Sequence, residues 1–281
     1  MGVIIMGIAI KNEIYKMYKN KFLWVGMLIT FFIMVGELSF SYTQFYNMNK
    51  VAELYENGKH YPFVLSRFWI GGDLASVYNK IYYLLLPIFA VLPFSVTYYI
   101  EIRTGYIKNI CIRIKKKHYI FAKYIVAFIG GGLGVSIPLL FNLWTTALYS
   151  VNYPQAVTLM ITPIGNKSLF ADIFFEKPLL YILIYIGIAF VYGGIFAVMS
   201  MAVVYLCKNI FVYVTFPFIM NMSAYYILLN TSAIKFVPIA FINPLQMICD
   251  SNGYAILIVF FLMLIISIAA MIYHIKKDIL N

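Results

Sequence analysis

The sequence predicts an all-α, polytopic membrane protein: six transmembrane helices behind an N-terminal interfacial helix, with both termini in the cytoplasm. Three observations carry this expectation. Hydrophobic residues make up 63% of the 281-residue chain and charged ones 11%, with a mean hydropathy of +0.88, whereas soluble domains carry about 25% charged residues. Almost every apolar run reaches the ~20 residues that a helix needs to cross a bilayer. The 21 Lys and Arg residues fall between those runs and not within them.

No polar stretch is long enough for a soluble domain, so residues 1–281 are read as one transmembrane domain. In a soluble protein the net charge of +11 would suggest nucleic acid; here the charge is topological and no nucleic-acid partner is expected. Cys111, Cys207 and Cys249 lie in three separate regions without a CxxC spacing, which points to neither a disulfide framework nor a metal. The opening MGVIIMGIAI lacks a basic leader and a small-residue cleavage site, so it is expected to stay on the mature chain. Richness in Ile, Lys, Asn, Tyr and Phe fits an AT-rich bacterial genome and hence a bacterial plasma membrane. The sequons at Asn166, Asn221 and Asn230 are then coincidental.

Residues 11–20, KNEIYKMYKN, put Ile14, Met17 and Tyr18 on one side of a helix, with Lys11, Lys16 and Lys19 mostly on the other. This predicts a short amphipathic helix in the interface, in which Ile14, Lys16, Met17, Tyr18 and Lys19 are the candidate residues; an ordinary basic flank is the alternative. The first span follows at 22–42 and carries Glu37 towards its far end. An ionisable group in a span is a functional candidate by default. Glu37 is therefore either a pathway contact or a solvated or helix-packing residue near the outer interface. Residues 43–80 form the longest polar stretch, interleaved with Tyr, Phe and Trp as at a headgroup layer, and should be the largest external region. The second span, 81–100, holds Pro87 and Pro93, which make either a pore-side kink or a packing bend.

The third span, 124–149, contains Gly130 and Gly134 four residues apart, a spacing that lets helix backbones approach closely. After an external segment broken by Pro154, Pro163, Gly165 and Pro178, the fourth span, 179–207, repeats the small-residue spacing at Ala189, Gly193 and Ala197. Only Lys208 and Asn209 separate it from the fifth span, 210–229. Asn142, Asn221 and Ser223, together with Glu37, are the polar span residues that could line a pathway. Residues 230–252, with Pro238 and Pro244, are too short and interrupted to span and read as re-entrant or interfacial. The last span is 254–273. With both termini inside, fourteen Lys and Arg residues fall on the cytoplasmic side and seven outside, as the positive-inside bias requires.

The segment from Glu101 to Lys123, EIRTGYIKNICIRIKKKHYIFAK, joins the second span to the third and holds seven basic residues: Arg103, Lys108, Arg113, Lys115, Lys116, Lys117 and Lys123. It is either a plain cytoplasmic loop or a docking surface. The chain has no GxxxxGK[ST] phosphate loop, no HExxH, no GxSxG and no paired carboxylates inside a span. His60, His118 and His274 are scattered between opposite faces, so no metal or acid–base constellation is expected and the chain is not read as an enzyme.

The six spans, the missing ATPase motif and the central basic segment resemble the permease subunits of ATP-binding-cassette (ABC) transporters of the type-2 exporter class. The matching residues are Glu101 at the end of the second span, then Gly105, the basic run Arg113 to Lys117, Tyr119 and Lys123. The minimal turn LCKNIF and the pair Asn243–Pro244 add softer matches, while the second acid and the proline common in that family segment are missing here. The resemblance implies that Glu101 to Lys123 is a coupling element docking on a separate ATPase subunit, present in two copies. Residues 11–20 would be the connecting helix. ATP and magnesium would sit on that partner, leaving this chain without a cofactor of its own. A second permease chain, identical or related, would complete the path through the lipid. Apolar spans and 19% aromatic residues suit a hydrophobic or amphipathic substrate such as a peptide or bacteriocin, a drug or a lipid. The alternative is a non-transporting anchor or sensor whose basic loop binds a partner or anionic lipid.

Overall fold

The computed structural model of the chain describes residues 2–55, 64–112, 114–152, 164, 168–245 and 253–276. Among these, regular structure is helical, and a single isolated bridge joins Val64 to Val151. The N-terminal helix α1 (Gly2–Lys19) is separated by Asn20 from α2 (Lys21–Tyr55). A one-turn α3 (Leu65–Phe68) leads to α4 (Val77–Val91) and α5 (Ser95–Arg103), then to a short α6 (Tyr106–Cys111) and the long α7 (Lys116–Ala147). After α8 (Ala171–Glu176) come α9 (Pro178–Ala202), α10 (Ile210–Leu228), a 3-10 turn (Ser232–Phe236), α11 (Pro238–Ile242) and α12 (Gly253–Lys276).

Helices α2, α7, α9, α10 and α12 are long and apolar enough to cross a membrane, and α4 with α5 makes a sixth span if the pair is counted as one. That pair is bent by 42°. The expected second span is thus broken, and Pro93 lies in the break while Pro87 is accommodated inside α4. A proline removes a donor and frees carbonyls one turn back. Here Asn20 donates its side-chain amide to the Leu92 and Pro93 carbonyls, at 3.3 and 2.9 Å. Ser95 donates to the Ala197 carbonyl and Tyr213 donates to the Ser95 carbonyl. Side chains from outside the pair thus reach carbonyls at the break, as a break at membrane depth requires.

Other boundaries also shift. Helix α2 runs on to Tyr55 instead of stopping near 42, so part of the expected external region is helix. Helix α9 ends at Ala202, not 207, because Val203 to Cys207 wind into hydrogen-bonded turns before Asn209 caps α10 by accepting from the Phe211 amide. Glu56 to His60, Arg113, Pro154, Pro163, Gly165, Cys249 and Lys277 lie outside the described residues.

Helices α7 and α9 are the mostly buried spans and share the most extensive interface; α2, α10 and α12 have few fully buried positions. The crossing rests on Gly131 and Gly193. A Cβ at Gly131 would stand 2.8 Å from the carbonyl oxygens of both Ala90 and Gly193, and one at Gly193 would stand 2.9 Å from the Gly131 carbonyl. Of the expected small-residue pair in α7, Gly130 instead makes room for Met17 of α1 and Gly134 for Pro93. Gly131→Leu is expected to overpack this crossing and cost about 1–3 kcal/mol. Gly187→Leu, on the facing span α9 with nothing near its missing Cβ, should leave thermal unfolding in detergent unchanged.

Candidate functional site

At the end of the bundle where α1, α5 and α7 meet, four charged side chains form one buried cluster. Lys123, one turn into the buried part of α7, is fully enclosed. Its ammonium lies 2.5 Å from Glu13 Oε2 and 2.7 Å from Glu101 Oε2, with Thr97 Oγ1 at 3.5 Å and the Phe94 ring face at 4.6 Å. Two carboxylates, a hydroxyl and a ring face thus surround the ammonium, with Glu13 Oε2 meeting it as an ion-pair contact and not as a hydrogen-bond acceptor. Lys16 donates to Glu13 Oε1 and Glu101 Oε1 at 2.8 and 2.9 Å and lies over the Tyr106 ring. Tyr119 donates its hydroxyl to Glu101 Oε2. Two acids and two lysines balance, and the acids are shared, so each carboxylate ties α1 to α7 or α5 to both.

Energetics decide what this cluster does. Desolvation costs several kcal/mol per ion, and one close ion pair returns about 4 kcal/mol at an effective dielectric constant of 20. The terms roughly cancel, so the cluster adds little net stability but strongly penalises any arrangement that separates its members. Although burial pulls the Lys16 ammonium down, the Glu13 and Glu101 carboxylates outweigh it and hold Lys16 above the ordinary lysine range.

The segment between α5 and α7 divides into an inner and an outer set. Glu101, Tyr119 and Lys123 are buried, whereas Arg103, Lys108, Lys115 and Lys117 are exposed and Lys116 is partly so. Gly105 adopts a left-handed φ of 71°, which a side chain would penalise; it ends α5 and starts α6. Ile107 buries beneath α5 in the same apolar cluster as Tyr98, Tyr99 and Cys207. Arg103 donates to the Cys207 carbonyl and Tyr99 to the Lys208 carbonyl, at 2.7 Å for the latter. The α9–α10 turn is thereby clamped to the end of α5.

Of the interfacial-helix candidates, Lys16 joins the cluster, Met17 is buried against α7, Ile14 is half-buried, and Tyr18 and Lys19 are exposed. The residues expected to line a pathway are not brought together. Glu37 is fully enclosed and accepts from Ser41 and Ser76, so of the two readings the packing role fits its surroundings. Asn142 accepts from the Ile70 amide at 3.0 Å, Asn79 donates to the Ile70 carbonyl, and Asn243 donates to Asn79 at 3.2 Å. These amides pin a non-helical segment into the opposite end of the bundle. Asn221 accepts from the Ile239 amide, and exposed Ser223 donates to its own helix at Ile219.

Sequence reasoning passed over Glu13. Its signal was present: it is the only acid in KNEIYKMYKN and stands three residues before Lys16. His274 was also discounted, yet it is buried, with Nδ1 at 3.3 and 3.1 Å from the Tyr98 and Tyr124 hydroxyls. Among the described residues no group of three or more His, Cys, Asp and Glu could hold a metal ion. Comparison with known proteins finds no matching family model, no matching curated protein and no matching solved structure.

Two outcomes follow from the cluster. Lys123→Met leaves two carboxylates facing each other in a buried site and is expected to cost about 3–5 kcal/mol; adding Glu13→Gln and Glu101→Gln should recover much of that loss in detergent melting curves. A raised lysine pKa stabilises fully below the ordinary value and is lost as pH rises through the folded one. The Lys16 contribution should therefore hold across neutral pH and fade only above about pH 10.5, and Lys16→Met should remove that alkaline component.

Proposed function

We propose that this chain is the permease subunit of an ABC exporter of the type-2 class. It supplies half of a path for a hydrophobic or amphipathic substrate, and ATP is hydrolysed by a separate subunit. The observation that carries this reading is the way α6 is mounted. It is a short helix between two spans, set off from α5 by Gly105 and packed against it through Ile107, while the Glu101–Lys123 pair ties α5 to α7 beside it. A load applied to α6 would pass into α5 through Ile107, from α5 into α7 through the Glu101–Lys123 pair, and into α1 through Lys16 and Glu13. Soft elements absorb a push; a closely packed, charge-locked element passes it on.

In this reading the docking face is the exposed set Arg103, Lys108, Lys115 and Lys117, and the buried Glu101 acts as a positioning residue behind it. This end of the bundle faces the cytoplasm of a bacterial cell, in keeping with the charge bias of the loops. The exposed lysines also favour a second reading, a non-transporting anchor or sensor that binds anionic lipid or a partner. The two readings separate on one experiment, in which the chain is expressed with the ATPase encoded nearest to it and pulled down. Lys108→Glu with Lys115→Glu and Lys117→Glu is expected to abolish ATPase co-purification while leaving the melting temperature unchanged. Retention of the ATPase by that variant would sink the docking assignment, and loss of binding to anionic vesicles with no ATPase captured by the wild type would favour the anchor.

A further inference from the structure

At the end of the bundle opposite the charge cluster, residues 64–76 fold into the protein as a hydrogen-bonded loop that opens with the single turn of α3. Trp69, Ile70, Gly71, Gly72 and Asp73 are all buried. A Cβ at Gly72 would collide with the Ser66 carbonyl and one at Gly71 with the Trp69 ring, so the tight fold needs both glycines. Between this loop and α2 lies a half-open cavity of about 290 Å³, lined by Gln44, Arg67, Phe68, Gly72, Asp73, Leu74 and Ala75. That size lies just below the roughly 300–1,000 Å³ of drug-sized ligand pockets and well above the ~30 Å³ of one water.

The walls carry opposite charges. Asp73 is more than nine-tenths buried, and its Oδ2 has no hydrogen-bond partner among the described residues, while Oδ1 accepts from the Ala75 amide at 3.0 Å. Arg67 is half-buried, with its guanidinium 5.6 Å from the Phe68 ring centre. Burial pushes the Asp73 carboxyl up and pulls the Arg67 guanidinium down, and each is partly offset by the other's charge across the site. Such walls call for a ligand with a cation at one end and an anion at the other.

Depth narrows the choice. Gln44 lies 23 residues beyond Lys21, the start of α2, or about 35 Å along a helix. The hydrocarbon core is ~30 Å thick, so the cavity opens at headgroup level. A primary ammonium offers three N–H donors to the unsatisfied Asp73 oxygen, which a quaternary ammonium lacks, and a phosphate matches the guanidinium fork.

We propose that this cavity binds the ammonium–phosphate zwitterion of an ethanolamine headgroup, the ammonium on Asp73 and the phosphate on Arg67. The assignment does not rest on the permease reading. The test is native mass spectrometry of the delipidated full-length protein titrated with ethanolamine, choline and glycerol phospholipids of identical acyl chains. The wild type should prefer the ethanolamine lipid by about tenfold, the scale of one charge-assisted hydrogen bond. Asp73→Asn and Arg67→Gln should each bring that preference close to unity. Ala75→Trp, at an exposed position on the cavity rim, should do so by filling the space without altering a charge, and it carries the test if the charge variants fail to fold. Displacement of the lipid by soluble O-phosphoethanolamine would assign a free zwitterion as an equal source, and failure to displace it would assign the lipid. Equal retention of all three lipids by the wild type together with no binding of O-phosphoethanolamine, or a preference that survives Ala75→Trp, would overturn the assignment.

Discussion

A lysine with no access to water constrains this protein more than any other single feature. Lys123 can remain charged inside the bundle only if two carboxylates reach it, and those come from different helices, Glu13 on α1 and Glu101 on α5. The requirement sets the positions of three elements at once. It brings α1 against α7, where Gly130 leaves room for Met17, and it holds the end of α5 at a fixed height beside the start of α7. The arrangement specifies geometry more than it adds stability, because desolvation and attraction are of similar size.

The same end of the molecule is braced from a second direction. The break between α4 and α5 would leave carbonyls unsatisfied, and Asn20, at the junction of α1 and α2, donates to two of them. Tyr213 from α10 donates to the Ser95 carbonyl, and Ser95 donates to α9. Arg103 and Tyr99 then hold the α9–α10 turn. Helices α1, α5, α7, α9 and α10 are therefore joined by polar contacts at one level, and the small helix α6 sits on that platform. At the opposite end Asn79, Asn142 and Asn243 perform a comparable task for the loop around Ile70. Polar residues that look like pathway candidates in a hydrophobic sequence are here largely engaged in closing the two ends of the bundle.

Much of the fold was legible because bilayer physics leaves few options. Long apolar runs can satisfy their backbone only as helices, and five such helices with a bent sixth segment stand close to the expected positions. The bend itself was signalled by Pro93, although nothing in the sequence named Asn20 as the group that would satisfy its neighbours. The importance of Glu101 and Lys123 was visible from their placement at span ends, but their partnership was not. They are separated by 22 residues, and whether such charges face out to a partner or in towards each other depends on helix rotation. Glu13 was overlooked because an acid in a basic amphipathic stretch reads as a surface residue until another helix covers it.

By itself, the sequence determined the all-helical membrane class, the approximate number of apolar segments and the basic connection after the second of them. Hydropathy and length suffice for these, since they depend on composition along the chain. Only the tertiary structure decided that Lys123 is enclosed and shared by Glu13 and Glu101, that Glu37 and Asn142 are enclosed and hydrogen-bonded at Ser76 and Ile70, and that Arg67 and Asp73 face one cavity. Each of these depends on which side of a helix meets which neighbour. A shift of one residue turns a helix by about 100°, enough to exchange a buried ion pair for an exposed one while leaving the hydropathy pattern almost unchanged.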